Sequence, residues 1–181
     1  MDELERLADD AVAGDPLAAA ALVRATQSDV WRLCASLGDR DSADDLTQET
    51  YLRAFGALHR FEGRSSLRTW LLSIARRVCA DALRSRRRRL LTLVRDDVDL
   101  EAMAGSDGAD RVAESSAVAD LLGRLDADRR EAFVLTQLLG LPYAEAAEVA
   151  GCPVGTIRSR VARARADLVA GLAEEDDALH G

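Results

Sequence analysis

Three groups of side chains in this chain have the types and spacing to do chemistry. Between residues 153 and 166 stand Arg158, Arg160, Arg163 and Arg165 with no acidic residue, a local net charge of +4; between 76 and 89 seven arginines face only Asp81, a net +6. Guanidinium groups at that density suit phosphate oxygens and base edges, which they meet with paired donors. The bland alternative is a pair of solvated, arginine-rich helix ends. The third group is acidic: Asp41, Asp45 and Glu49 fall at i, i+4 and i+8 on one helix face, beside Asp44 and Gln48. A hydrolytic metal centre would draw its carboxylates from several elements and keep a His or other catalytic partner close, and neither condition is met. That leaves a solvated face or a docking surface for a basic partner, and nothing local decides between them.

The body that carries these groups is acidic. The 181 residues have a net charge of -8, with 48% hydrophobic, 31% charged and only 4% aromatic residues, which describes a soluble globular chain rather than a fibre or a disordered one. A protein that coats nucleic acid indiscriminately would be basic throughout, so two basic islands on an acidic body point to contact at two defined places. Every cation is Arg, and Lys and Asn are absent; a GC-rich coding background accounts for this first, and selection for guanidinium second. Cys34, Cys79 and Cys152 are odd in number and far apart, so no disulfide framework or paired zinc spacing is expected, and they read as small core residues of a protein in a reducing cytoplasm. MDELERLADD is acidic where a signal peptide would be basic and then apolar, and no apolar run approaches the ~20 residues of a membrane span. No nucleophile, phosphate-binding glycine loop or His-rich cluster supports a catalytic centre.

The elements that must position these groups read as helices, because apolar residues recur at three- and four-residue spacing and strand-like alternation is absent. The acidic stretch RDDVDLEAMAGSDGADR lacks an apolar face and reads as a flexible linker. The expected organisation is an all-α chain: a domain over 1–90, a linker over 91–117, a second domain over 118–174 and a disordered tail over 175–181. Ser42 with Asp45, and Asp128 with Glu131, have the form of N-caps with capping boxes, and another helix is expected to start at Ser65 or Ser66. In that helix Leu67, Leu71, Ile74 and Val78 form a core stripe, while Thr69, Ser73, Arg76, Ala80 and Arg84 form a polar face with Arg77 beside it. Trp70, at the stripe's edge, is either core or a platform for an unpaired base.

Near the C-terminus, PYAEAAEVAG, a turn at AGCP and a longer helix from about Pro153 have the form of a helix-turn-helix. Ile157, Val161, Ala164, Leu168 and Leu172 make its apolar stripe. Thr156, Arg158, Ser159, Ala162 and Arg163 lie opposite, small residues flanked by two cations that could reach base edges or phosphates. Arg160 and Arg165 lie nearer the stripe, where pairing with Glu145 or Glu148 and contact with DNA are equally open.

Three segments together, DDLTQETYLRAF at 44–55, RSSLRTWLLSIARRVCADALR at 64–84 and REAFVLTQLLGLPYAEAAEVAGCPVGTIRSRVARARADL at 130–168, resemble bacterial RNA polymerase sigma factors of the extracytoplasmic-function (ECF) class, those of actinobacteria in particular. The resemblance implies that the first domain is sigma region 2 and the second sigma region 4. It further implies a transcription initiation factor, with no cofactor, metal or catalytic residue of its own. Asp44, Asp45, Gln48, Glu49 and Arg53 would dock on the clamp of the polymerase's largest subunit, and region 4 would meet the flap of the second-largest. The loop with Arg60, Phe61, Ser65 and Ser66 would hold a base flipped from the minus-ten element. Trp70, Ser73, Arg76, Arg77 and Arg84 would read and melt that element. Arg158, Ser159, Ala162 and Arg163 would read the minus-thirty-five element, with Thr156 and Arg160 near the backbone. An anti-sigma factor is a common partner in the family, and the chain is expected to be a monomer outside the holoenzyme. Two departures bear on specificity: Arg77 stands where many members carry Asn, and Ala162 offers no hydrogen bond where others place a larger side chain. The alternative reading is a stand-alone helix-turn-helix regulator, which would have to bind duplex DNA tightly by itself.

Overall fold

The computed structural model describes residues 3–38, 40–95 and 120–180, with side chains over 3–38, 40–92 and 120–173. The expected linker therefore falls almost wholly outside the described residues. Among those residues no strand occurs. The first unit comprises α1 (Glu3–Val12), α2 (Pro16–Leu37), α3 (Ala43–Ala57) and α4 (Leu67–Arg95). The second comprises a short α5 (120–124), α6 (Ala127–Phe133), α7 (Tyr143–Ala150) and α8 (Val154–His180). The all-α, two-unit expectation holds.

Helix ends follow local chemistry, not always at the expected residue. Asp15 accepts from the backbone N–H of Leu17 at 2.8 Å, and Pro16 sits in the first turn of α2, where its missing N–H costs nothing. α2 ends at Gly38, where a Cβ would lie 2.9 Å from the backbone carbonyl oxygen of Cys34 and 2.6 Å from Leu46 Cδ1, so any other residue would force the helix end to shift. Ser66 does cap α4, accepting from the N–H of Thr69 at 3.1 Å. Ser42 precedes α3 but makes no side-chain cap; its φ and ψ of -96° and 0° belong to the 3-10 turn Arg40–Ser42, not to the extended geometry a cap needs. In the second unit the cap is Asp126, which accepts from the N–H of Asp128 at 3.0 Å, and the expected box of Asp128 and Glu131 does not form. α6 passes into a π-helical turn, Val134–Leu138, before the chain reverses near Gly140. α8 continues to His180, through 175–180, where the sequence reading expects a tail; no Gly or Pro stands between Ala173 and His180 to stop it.

The core runs without a break from one unit into the other. Val30, Leu33 and Cys34 of α2 and Leu71, Leu72, Ala75, Val78 and Cys79 of α4 belong to the same buried cluster as Leu135, Ala146, Val149 and Ile157. A smaller cluster ties α1 to α2 through Ala8, Leu22, Leu58 and Leu67. The anticipated stripes, Leu67/Leu71/Ile74/Val78 and Ile157/Val161/Ala164, are buried, while Leu168 is half-buried and Leu172 exposed. Cys34 and Cys79 are free and buried, and Cys152 is half-buried. The contact with Cys34 and burial push the Cys79 thiol up from its ordinary pKa, in keeping with a packing role. No described helix is long and apolar enough to cross a membrane.

Candidate nucleic-acid and polymerase interfaces

The C-terminal hairpin is built on one backbone device. Gly151 adopts φ +65° and ψ 38°, left-handed geometry that Gly enters without a steric cost, and its N–H reaches back to the carbonyls of Ala147 and Glu148. That reversal directs α8 across α7. With Ile157, Val161 and Ala164 at 0–2% exposure, the opposite face is left to solvent: Arg158, Ser159, Ala162 and Arg163 are all exposed. Ser159 Oγ donates to the carbonyl of Thr156 at 2.9 Å, which keeps the hydroxyl close to the helix. Two cations thus flank a low, small-residue strip, a shape suited to a major groove.

The neighbouring arginines serve the unit itself. Arg160 pairs with Asp128 of α6 and points a second nitrogen at Cys152 Sγ, 3.6 Å away; Arg165 donates to Gln137 Oε1 at 2.7 Å. Both are held intramolecularly, though by α6 and the π turn rather than by the anticipated Glu145 or Glu148. Arg129 joins the same seam through Asp167, at 2.6 Å.

On the first unit, α3 turns Asp45, Gln48 and Arg53 outward, with Glu49 half-exposed. Glu49 and Arg53 pair at 2.7 Å, Arg53 also reaches Asp81 of α4 at 2.7 Å, and Asp44 accepts from Trp31 Nε1 at 2.8 Å. Arg53 and Arg84 together hold the Asp81 carboxyl below its ordinary pKa. Leu52 is 70% exposed on this same face, and Phe55 follows it. Pattern reading passed over Leu52; its signal was a leucine at the helix position next to Gln48 and Glu49, outside the core stripe. Among the described residues no group of three or more His, Cys, Asp or Glu could hold a metal ion.

The loop entering α4 brings Phe61 and Trp70 together, ring centroids 5.4 Å apart and tilted by 57°. Trp70 is half-buried and touches both apolar clusters, so its packing side is core while its rim remains accessible. Arg60 donates to His59 Nε2 at 3.1 Å, and Ser65 is half-buried. Arg77 and Arg84 are exposed, Arg84 donating to Asp81 at 2.5 Å.

The polar face of α4, expected to be open, is covered at Thr69 and Arg76, while Arg84 and the adjacent Arg77 stay exposed. Thr69 is 1% exposed, and its hydroxyl donates to Glu145 Oε2 of α7 at 2.5 Å, with Ser66 Oγ 3.3 Å from the same oxygen. Arg76 pairs with Glu131 of α6, whose side chain is 8% exposed. Arg68 bonds Asp29 at 2.7 Å and the carbonyl of Leu139 at 2.6 Å. Ser73 is half-buried and donates to the carbonyl of Thr69 at 2.9 Å. The sequence had offered Glu131 as a capping-box partner of Asp128 and Glu145 as a partner of Arg160 or Arg165, and Arg68 had no assigned role. The signal available was charge: residues 118–152 are net -3 and residues 76–89 of α4 are net +6.

Two helical units, one built on an exposed basic helix-turn-helix and the other ending in a long basic helix, have the features of a DNA-binding protein. Family models agree: Sigma-70 region 2 matches residues 22–89, and Sigma-70 region 4 matches residues 115–168. The ECF RNA polymerase sigma factor SigC of Mycobacterium tuberculosis is 53% identical over 173 residues, covering 94% of this chain and 91% of that protein. The probable RNA polymerase sigma-C factor of Mycobacterium bovis matches equally. Among solved structures, CnrH in complex with the cytosolic domain of CnrY superposes with a TM-score of 0.72 at 32% identity, over 96% of this chain and 99% of that one. RpoE in complex with the anti-sigma factor NepR from Bartonella quintana gives 0.68 at 33% identity, over 81% and 91%. The chain belongs to the ECF family of RNA polymerase sigma factors and is a transcription initiation factor.

Proposed function

We propose that the two units divide promoter recognition between them. The exposed face of α8 reads the minus-thirty-five element in the major groove: Arg158 and Arg163 reach base edges or phosphates from the sides, Ser159 and Ala162 let the helix sit deep, and Thr156 and Arg160 lie toward the backbone. The outer face of α3, with Asp44, Asp45, Gln48, Glu49, Arg53 and the exposed Leu52, docks on the clamp of the polymerase's largest subunit, and region 4 meets the flap of the second-largest. The loop with Arg60, Phe61, Ser65 and Ser66 holds a flipped minus-ten base, and Trp70, Ser73, Arg76, Arg77 and Arg84 hold the opened strand. The chain acts in the cytoplasm, as a monomer until it joins the polymerase, without cofactor or catalytic centre. The neighbours solved with CnrY and with NepR support an anti-sigma partner.

Opening a promoter costs about 1.4 kcal/mol of stacking per base-pair step. Over several steps that exceeds what two small basic patches on a chain of net charge -8 supply alone. Polymerase contributes by holding both units at the promoter spacing, so that two weak contacts become one bivalent contact. The observation that carries this reading is the exposed strip of α8, two arginines around two small residues opposite the buried Ile157, Val161 and Ala164.

Run-off transcription on a pool of genomic promoter fragments, with mycobacterial core polymerase alone and with the added protein, tests it. New discrete transcripts that vanish when Arg158 and Arg163 become Ala are expected. No new transcripts, together with tight duplex binding by the chain alone, would instead establish a stand-alone regulator.

A further inference from the structure

A row of alternating charges runs between two surfaces of the first unit that have different partners. It starts on α3 at Glu49, whose carboxylate accepts from Arg53 Nε at 2.7 Å. It crosses to α4 where Arg53 Nη1 donates to Asp81 Oδ2, again at 2.7 Å, and it ends at Arg84, which donates to Asp81 Oδ1 at 2.5 Å. Glu49 belongs to the acidic docking face and Arg84 to the helix that holds the opened strand, while Asp81 between them has no assigned role. We propose that Asp81 is a positioning residue for polymerase docking: by dividing its charge between Arg53 and Arg84, it sets how freely Glu49 is offered to a cation on the polymerase. This rests on the docking reading given above.

The four side chains are 44–70% exposed, so no pair is locked by burial and each member can exchange its partner for another of the same charge. Arg53 first and Arg84 second hold the Asp81 carboxyl below its ordinary pKa, and Asp81 first and Glu49 second raise that of Arg53. Arg53 is thus one cation shared by two carboxylates, and Asp81 one carboxylate shared by two cations. Without Arg84, Asp81 is left to Arg53 alone. The guanidinium is drawn toward α4, its hold on Glu49 weakens, and the uncompensated Asp81 charge repels Glu49 as well. Glu49 is then easier for a polymerase cation to take. Without Asp81 the sign reverses, because Arg53 keeps Glu49 as its one carboxylate in the row and holds it more firmly. A promoter phosphate that accepts from Arg84 acts as removal of Arg84 does, so a strand at α4 tightens docking at α3. By reciprocity, docking releases Arg84 toward a phosphate.

The test is the affinity of the full chain, carrying a fluorescent label, for core polymerase in the absence of DNA. Glu49→Gln is expected to weaken binding, and Asp81→Asn to weaken it about threefold, the scale of one exposed ion pair. Arg84→Gln, a change on the promoter side of α4, is expected to tighten binding about threefold. Arg87→Gln, exposed one turn further along the same helix, makes the same change of net charge outside the row and is expected to stay close to wild type. In the double variant with Asp81→Asn the gain from Arg84→Gln should vanish, because both act through one carboxylate, whereas a general charge effect would persist. Circular dichroism verifies folding; if Asp81→Asn does not fold, Arg53→Gln breaks the row at its middle and must abolish the same gain. An Arg84→Gln variant that binds no more tightly than Arg87→Gln overturns the inference, and so does a gain that survives in the Asp81→Asn or Arg53→Gln background. A wild-type chain that does not bind core polymerase, or a Glu49→Gln variant that binds as tightly as wild type, overturns the docking reading itself and this inference with it.

Discussion

The pair between Arg76 and Glu131 makes a quantitative prediction about how firmly the two units are joined. The Glu131 side chain is 8% exposed and that of Arg76 35%, so the pair straddles the seam's edge rather than lying deep in the core. Removing one partner from a fully buried ion pair costs roughly 3–5 kcal/mol, while exposed pairs contribute about 0–1 kcal/mol. With the guanidinium partly screened, Glu131→Ala should cost about 2 kcal/mol. A urea slope of about 2 kcal/mol per molar turns that into a midpoint lower by about 1 M. Arg76→Ala should cost more, because it leaves the Glu131 carboxylate buried without its partner, whereas the longer, part-exposed Arg76 can turn toward water when Glu131 is removed. The double variant should fall short of the sum of the two by about 1 kcal/mol, since the second change removes a group already without its partner. Urea titrations of the three variants, followed by circular dichroism and by the fluorescence of Trp31 and Trp70, measure all of this. Both tryptophans lie in the first unit, so they also report whether the units unfold together; weakening the seam should separate the two signals. Strict additivity of the two changes, with coincident signals throughout, would refute the claim that this pair joins the units.

Other consequences are open to direct measurement. Arg158→Ala and Arg163→Ala should each weaken holoenzyme binding to promoter duplex; a loss of about 1–3 kcal/mol with relaxed sequence preference marks a base contact, and a salt slope shallower by about 0.9 marks a phosphate contact. Asp126→Ala removes the observed cap of α6 and should cost about 1 kcal/mol, whereas Asp128→Ala, not a cap, should act only through Arg160. Leu52→Glu should reduce affinity for core polymerase in a pull-down titration with little effect on thermal stability, because the side chain is 70% exposed. Asp81 has its folded pKa held below the ordinary 3.8 by Arg53 and Arg84, so its contribution is present above about that pH and lost as pH falls through the lower folded value. Asp81→Asn should therefore show a flatter decline of melting temperature in acid than the wild type.

How far the sequence was legible depended on whether a feature is local. The stripe Ile157, Val161, Ala164 and the turn at Gly151 are set by helical period and by one residue's tolerance of positive φ, and both were readable. The start of α4 at Ser66 was readable for the same reason. The start of α6 was not: Asp126 and Asp128 are two residues apart and chemically alike, and Glu131 three residues beyond Asp128 imitates a capping box while serving a partner across the seam. Arg160 and Arg165 were rightly expected near the apolar stripe, but which acceptor they meet depends on the crossing of α8 with α6, a tertiary fact that spacing does not encode.

The polar face of α4 is the most instructive miss, because periodicity identified it and misjudged its surroundings. A helical projection sorts residues into apolar and polar sides and assumes that polar means wet. α4 buries both sides: Leu71, Ile74 and Val78 against the first unit, and Leu72, Ala75 and Thr69 toward the second. The second contact can be polar because its donors, Thr69, Ser66 and Arg76, find carboxylates, and a buried polar group with a partner costs little.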